Sequence, residues 1–442
     1  MKIAWFSPLP PLKSGISEYS ELIVRHLKDC AHVDLWVSGF TPNSDLCNEF
    51  KVIDYSRDKK IWPMLKTYDA IVYNMGNNSD YHSNMYDVSL QYPGIVILHD
   101  YVLHHFFVGY WFNEKGNQGE YFDEIKKQYG SEIAEKALKS LQTPRKLFWE
   151  MEDMMQFPLN NSVIDNSKGV IVHSDFLKDL INSNSRDKAI KLDLPYYSSD
   201  FKGIIKNRTE LKIPENKTII AFFGFILPIK RIHKVLEVIS KNKYLQDNVY
   251  ILIIGEGGNP NYKLEEYINK YKLEDQVKTL GYLTIEEVYE YLQVVDICVN
   301  LRYPTMGETS ASLIRFMELG KPTIVSNVGW YAELPDDSVV KIDIDKEENQ
   351  LEYYLEKLIK DEDYRKKIGT NAENYVHKYY TPKNFVDGIV DFINTINQKS
   401  GEINYIHLLD KVSDILYEIG GNSKDIIPKV AREIGAFSNE QG

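Results

Sequence analysis

Short apolar runs alternate along this chain with longer stretches of helical periodicity. Lys2-Ile-Ala-Trp-Phe6, Val33-Asp-Leu-Trp-Val37, Ala70-Ile-Val-Tyr73, Gly94-Ile-Val-Ile-Leu98 and Gly169-Val-Ile-Val-His-Ser174 each predict a buried strand. Thr218-Ile-Ile-Ala-Phe-Phe223, Val249-Tyr-Ile-Leu-Ile-Ile254, Val277-Lys-Thr-Leu-Gly-Tyr-Leu283, Ile297-Cys-Val-Asn300 and Thr323-Ile-Val-Ser326 predict a second set. Helical spacing occupies 18–27, 233–240, 286–292 and 351–379, and Tyr380-Thr-Pro382 breaks the last of these before a further helix at 385–396. Buried strands interleaved with helices predict an α/β chain with parallel sheets. The segment 101–160 is too long for an ordinary strand-to-helix connection and predicts inserted, aromatic-rich helices packing on one another. A Pro/Ser loop at 193–200 reads as the linker between an N-terminal domain, 1–195, and a second domain, 196–380. C-terminal helices fill 381–442, with 403–419 and 423–434 expected as a helix pair around Gly420-Gly421.

The stretch 297–326 reads as strand, loop, helix and strand, a βαβ unit. Pro304 and Gly307 punctuate the loop, Thr309 or Ser310 can cap the helix, and Gly320 with Pro322 ends it. Ligands in open α/β sheets bind at the carboxyl ends of strands, where helix N-termini favour phosphate. That rule marks Glu308, Thr309, Ser310, Ala311 and Ser312 as candidates to face a ligand. It also marks the turn after Phe223, where Gly224 precedes Lys230 and Arg231 at the start of a helix. A lysine there can neutralise a diphosphate. In the N-terminal half the same rule selects the loop holding Gly15, the Asn77 loop and the pair His99-Asp100. His104 and His105, beside Phe106 and Phe107, are read as packing or acceptor-side residues.

Gly320-Lys-Pro322, Val328-Gly-Trp-Tyr-Ala-Glu333 and the loop Gly307-Glu-Thr-Ser-Ala-Ser-Leu-Ile-Arg315 resemble the donor-binding region of retaining glycosyltransferases of family 4. The loop form resembles a bacterial subgroup of that family. The resemblance implies a GT-B architecture, with two Rossmann-like, doubly wound domains facing a cleft and a C-terminal helical extension that first crosses back to the N-domain. It implies that Lys230 meets the diphosphate, that the Tyr282-Leu283 loop touches the nucleobase, that Glu308 holds sugar hydroxyls, and that His99 orients the sugar or acceptor at the opposite wall. Gly15 would belong to the donor site, and Asn77, Asp100 and His104 to the acceptor side. The chain also departs from the pattern. Aligned from Gly320, the family's paired glutamates fall on Gly307 and Arg315, and Phe225 stands where an arginine is usual, so Arg231 is the candidate replacement. Arg315 is expected to face the cleft and pair with Glu308, Glu333 or a donor phosphate.

Composition narrows the remaining choices. The 442 residues carry a net charge of −12, which argues against a nucleic-acid partner as the main function. The three cysteines, Cys30, Cys47 and Cys298, are scattered, and no metal-ligand spacing accompanies them. No metal or other cofactor is therefore expected. The opening residues read as a first strand rather than a signal peptide, and no apolar run matches a membrane span. A cytoplasmic protein follows as the expectation. Peripheral membrane contact and self-association through the C-terminal helices are left open.

The expected activity is transfer of a sugar from a nucleotide-sugar donor to a glycan or glycoconjugate acceptor with retention. The alternatives are a GT-B nucleotide-sugar epimerase and a non-catalytic GT-B subunit that binds glycans.

Overall fold

A computed structural model describes residues 1–142, 146–183, 187–196, 206–257, 259 and 261–418. Two parallel sheets with helices between their strands carry the fold, which is α/β of GT-B type. The first sheet contains β1 (Lys2–Phe6), β2 (His32–Val37), β3 (Lys51–Asp54), β4 (Ala70–Met75), β5 (Ile95–Leu98), β6 (Gly169–Val172) and β7 (Ala189–Lys191). Its order is β3-β2-β1-β4-β5-β6-β7. The second contains β8 (Thr218–Phe223), β9 (Val249–Ile254), β10 (Val277–Gly281), β11 (Ile297–Asn300), β12 (Thr323–Ser326) and β13 (Val340–Ile342). Its order is β10-β9-β8-β11-β12-β13.

In each sheet the winding reverses at one place, between β1 and β4 in the first and between β8 and β11 in the second. Loops leaving the carboxyl ends of those strands diverge there and open a crevice for ligand. The central strands are buried on both faces, which their apolar runs made readable. Three strands escape the apolar pattern: β3, β7 and β13. Each is an edge strand of three or four residues, partly open to solvent, and so needs no long apolar run. The last strand of the first sheet is accordingly β7, after the expected last strand β6.

The inserted region forms helices His104–Val108, Gln118–Tyr129 and Ser131–Ser140, with shorter turns between and after them. Its aromatics pack on one another: Phe106, Phe107, Tyr110, Tyr121 and Phe148 are all buried. One correction concerns the C-terminal helices. Instead of separate helices at 385–396 and 403–419, one helix runs from Pro382 to Glu418. The expected partner helix at 423–434, its Gly420-Gly421 turn and residues 197–200 of the 193–200 linker lie outside the described residues. Both sheets fall in one compact unit, Met1–Asp387, and a second unit begins at Gly388. Among the described residues no helix is long and apolar enough to cross a membrane.

Candidate active site

A cavity of about 520 Å³ lies between the carboxyl ends of the two sheets. Loops and helix starts at the carboxyl ends of both sheets build its walls. The loop after β1 brings Lys13, Ser14 and Gly15, where Ser14 caps the helix Gly15–Leu27 by accepting from the Ile16 amide at 3.2 Å. A Cβ on Gly15 would meet no atom within 4 Å, so the glycine keeps that wall open without being sterically required. The loop after β4 brings Asn77, and its amide donates to Asp100 Oδ2 at 2.8 Å. The turns after β5 and β6 bring His99, Asp100 and His173. From the second sheet come Phe225, Thr309, Ala311, Ile314 and Arg315.

The first wall is an imidazole cluster. β5 and β6 are neighbours, so the residues that follow them, His99 and His173, stand side by side with ring centres 5.3 Å apart. The Tyr19 ring meets both edge-on, and Phe385, at the start of the C-terminal helix, packs on Tyr19 and His173. His82, from the helix Ser79–Gln91, lines the same wall. Burial pushes His82 down to about 3 and His173 down to about 4. Burial, reinforced by repulsion from His173 and His82, holds His99 well below the usual imidazole range. All three rings are neutral at physiological pH. Asp100 is raised, by burial first and by the Glu308 charge, while the Asn77 amide opposes the shift.

Two cations meet at the carboxyl end of the second sheet, and neither lines the cavity. Lys230 follows β8, and its Nζ donates to the Phe223 carbonyl at 3.0 Å and lies beneath Gly224. Gly224 has φ +101°, and a Cβ there would stand 2.6 Å from the lysine nitrogen, so the turn requires glycine. Among the described residues Lys230 has no carboxylate partner. Burial, with Arg302 nearby, pushes it down to about 7. Arg302 follows β11, the strand beside β8, which explains the meeting of the two cations. Ser310 caps the helix Ala311–Glu318 by accepting from the Leu313 amide at 3.2 Å, and Asn300 ties Ser310 and Ser312 to the strand end. Thr309 and Ala311 consequently face the cavity at that helix start.

The structure brings together Gly15, Asn77, His99, Asp100, Thr309, Ala311 and Arg315 on the cavity itself. Lys230, Gly224, Ser310 and Ser312 do not line it, although Gly224 precedes Phe225 and the two serines flank Ala311. Other expected residues are placed elsewhere. His104 is a core residue: fully buried, it bonds Tyr121 Oη at 2.9 Å and the Phe157 carbonyl at 2.6 Å, which removes it from the acceptor side. Arg231 adopts φ +54° and turns to the buried carboxylate of Glu347 in a two-point ion pair, so it does not replace the missing cleft arginine. Glu308 pairs with Arg302 Nε at 2.7 Å and accepts from the Met306 amide at 2.7 Å, so its carboxylate is engaged by its own loop. Tyr282 stands 62% exposed with Lys13 over its ring at 5.4 Å, and Leu283 packs into the second domain's core. Neither lines the cavity. Arg315 does face the cleft and does pair with a carboxylate. The partner, however, is Glu18 of the first sheet's helix Gly15–Leu27, at 3.0 Å, rather than Glu308 or Glu333. Glu333 instead accepts from the Asp175 and Phe176 amides at the start of the helix Asp175–Asn182.

Sequence reasoning passed over Tyr19, His82, His173 and Arg302. A signal existed for two of them. His173 directly follows the apolar run of β6 as His99 follows that of β5, and Arg302 lies just past β11. Tyr19 and His82 lie within helices, where spacing alone marks them as packing.

Residues 204–375, covering the second sheet, match the family model of glycosyl transferases group 1. The uncharacterized glycosyltransferase YqgM of Bacillus subtilis is 23% identical over 226 residues, 50% of this chain and 59% of that protein. A similar Methanocaldococcus jannaschii glycosyltransferase, 24% identical, is covered over 56% of its length, so the chain spans under three-fifths of both relatives. Among solved structures, Anabaena HepE in complex with UDP superposes with a TM-score of 0.61 at 15% identity, covering 89% of this chain and 100% of that one. HepE has also been solved with UDP-glucose. Sucrose-phosphate synthase from Thermosynechococcus elongatus gives a TM-score of 0.59 at 16% identity, over 90% and 99% of the two chains. The chain is thus similar to glycosyl transferases group 1 over residues 204–375, and its fold is GT-B.

Proposed function

We propose that this chain transfers a hexose-type sugar from a nucleotide sugar to a hydroxyl of a glycan or glycoconjugate, with retention of configuration. The observation that carries the reading is Lys230: an ammonium pushed down to about 7, close to Arg302 and lacking a carboxylate among the described residues. Such a group gains most from a dianionic ligand. The UDP and UDP-glucose complexes of the similarly folded HepE support a nucleoside diphosphate as that ligand.

The chemistry follows from charge. The leaving diphosphate gains negative charge as the glycosidic bond breaks, and preorganised cations and helix amides offset it. Lys230 and the amides around Ala311 fill that role. The sugar then lies toward His99 and Asp100, and the acceptor enters past Asn77 and Tyr19. No protein nucleophile is assigned. Incubation with a radiolabelled panel of nucleotide sugars and hydroxylated acceptors tests the reading. Label appearing in an acceptor with the donor's anomeric configuration supports it. Donor epimerised without acceptor, or no turnover by a chain that binds no nucleotide, would overturn it.

A further inference from the structure

Asn74 is fully buried on β4, between β1 and β5, and it reaches both neighbouring strands. Its Nδ2 donates to the Phe6 carbonyl of β1 at 3.0 Å. A carbonyl can only accept, so this contact fixes which way the amide faces. The amide oxygen is therefore turned to His99 Nε2, 3.2 Å away. An amide oxygen also only accepts, so Nε2 must carry the proton, and the lone pair of the neutral ring sits at Nδ1. We propose that Asn74 is a positioning residue that locks His99 as a hydrogen-bond acceptor toward the cavity, so that His99 reads a hydroxyl donor on the ligand.

The same logic holds next door. His173 Nδ1 lies 2.8 Å from the Leu192 carbonyl and must donate to it, which leaves Nε2 as the lone-pair nitrogen, buried and unpartnered among the described residues. The groups facing His99 are Tyr19 from the helix Gly15–Leu27, His82 from the helix Ser79–Gln91, His173 after β6, and its neighbour Asp100. Burial and the two other imidazoles oppose its protonation, which would turn the acceptor into a donor. Only the identity of the hydroxyl, a sugar's, rests on the transferase reading. The tautomer does not.

Long-range 1H–15N spectra of the imidazoles in the whole protein test the proposal directly, with the His99 signals assigned by their loss in His99→Gln. The expected result is a single neutral tautomer protonated at Nε2. A proton on Nδ1 would overturn the proposal, whatever the variants do. Asn74→Ala should give mixed tautomers and about a tenfold fall in kcat/KM, the scale of one lost hydrogen bond. Asn74→Asp should keep the Nε2 proton and restore activity at high pH. Its carboxylate stabilises the imidazolium, so the His99 midpoint should rise by more than a unit and a new acidic limb should appear in kcat/KM. An unchanged tautomer in Asn74→Ala, or an unshifted pH profile in Asn74→Asp, would also overturn it. A confirmed tautomer in a protein that turns over no nucleotide sugar would sink the transferase reading and leave this one standing.

Discussion

The half-neutral state of Lys230 has a consequence that binding can measure. In the folded chain its ammonium is pushed down to about 7 from an ordinary 10.5. A bound diphosphate stabilises the charged form, so binding must draw a proton onto the lysine whenever the solution pH exceeds about 7. The sign is fixed: affinity is highest below pH 7 and weakens as pH rises, until the raised pKa of the bound state is reached. With a free-state value of about 7, the dissociation constant should increase about fifty-fold between pH 7 and pH 9. At pH 8 binding should take up about 0.9 proton, because that fraction of the free lysine is neutral. The cavity imidazoles His82 and His173, at about 3 and about 4, are silent in this window.

Calorimetry with UDP or another nucleoside diphosphate, in buffers of differing ionisation enthalpy, counts that proton. Lys230→Met should abolish both the uptake and the pH slope. It should also cost roughly 2–4 kcal/mol in transition-state stabilisation, the scale of one preorganised electrostatic contact. A flat wild-type affinity between pH 7 and 9 would refute the reasoning, as would a Lys230→Met protein that keeps the slope.

Other outcomes follow from single contacts. Gly224→Ala should displace the Lys230 nitrogen, which a Cβ would approach to 2.6 Å, and should strain a φ of +101° by about 1–3 kcal/mol; diphosphate titration and thermal melting read the two effects separately. Glu18→Gln should change stability by less than about 1 kcal/mol, because the Glu18 side chain is 54% exposed, whereas Arg315→Glu sets two carboxylates against each other in the cleft and should weaken donor binding by at least the same pair energy. His82, His99, His104 and His173 are all depressed below 6.5 in the folded chain, so the unfolded chain binds more protons and stability is lost as pH falls from about 6.5 towards 4; denaturant melts should show a pH slope approaching four protons, and a flat stability over that range would contradict their burial. Since Lys230 and helix amides already offset the diphosphate charge, transfer should persist in EDTA, and loss of activity restored by magnesium would show that the proposed mechanism lacks a metal.

The elements legible in the sequence were those buried on both faces. β1, β8, β9 and β11 announce themselves because a strand covered by helices on both sides must be apolar throughout. Edge strands β3, β7 and β13 are not under that constraint, and they were invisible. The cavity was legible where position along a strand decides which residues line it, as for His99, Asp100 and the start of the helix Ala311–Glu318. It was illegible where distant segments meet. Nothing in the spacing of Arg231 foretells Glu347, and nothing in Arg315 foretells Glu18, because both partners arrive from elements more than a hundred residues away. His104 shows the converse failure, since a histidine beside a strand-end pair looks functional until Tyr121 and the Phe157 carbonyl close around it.

The departure from the paired-glutamate pattern has a steric and electrostatic account. Gly307 stands where the first glutamate would fall, with φ +82°. A Cβ there would meet Leu177 Cδ2 at 2.7 Å and Tyr101 Cβ at 3.0 Å, both on the first sheet's side of the cleft. The loop therefore lies close against the opposite wall, and a side chain at that position would be strained and would have to displace Leu177. The carboxylate one residue later, Glu308, folds back onto Arg302. At the second position Arg315, 11% exposed, faces Glu18 across the cleft and lies over the Phe223 ring. The charge at that position is reversed, and a carboxylate on the facing helix balances it. The same arrangement links the two walls, because a donor that drew Arg315 to its phosphate would release Glu18 to solvent. Glu18 can be released at little cost, being half exposed already, which leaves Arg315 available to an anionic ligand.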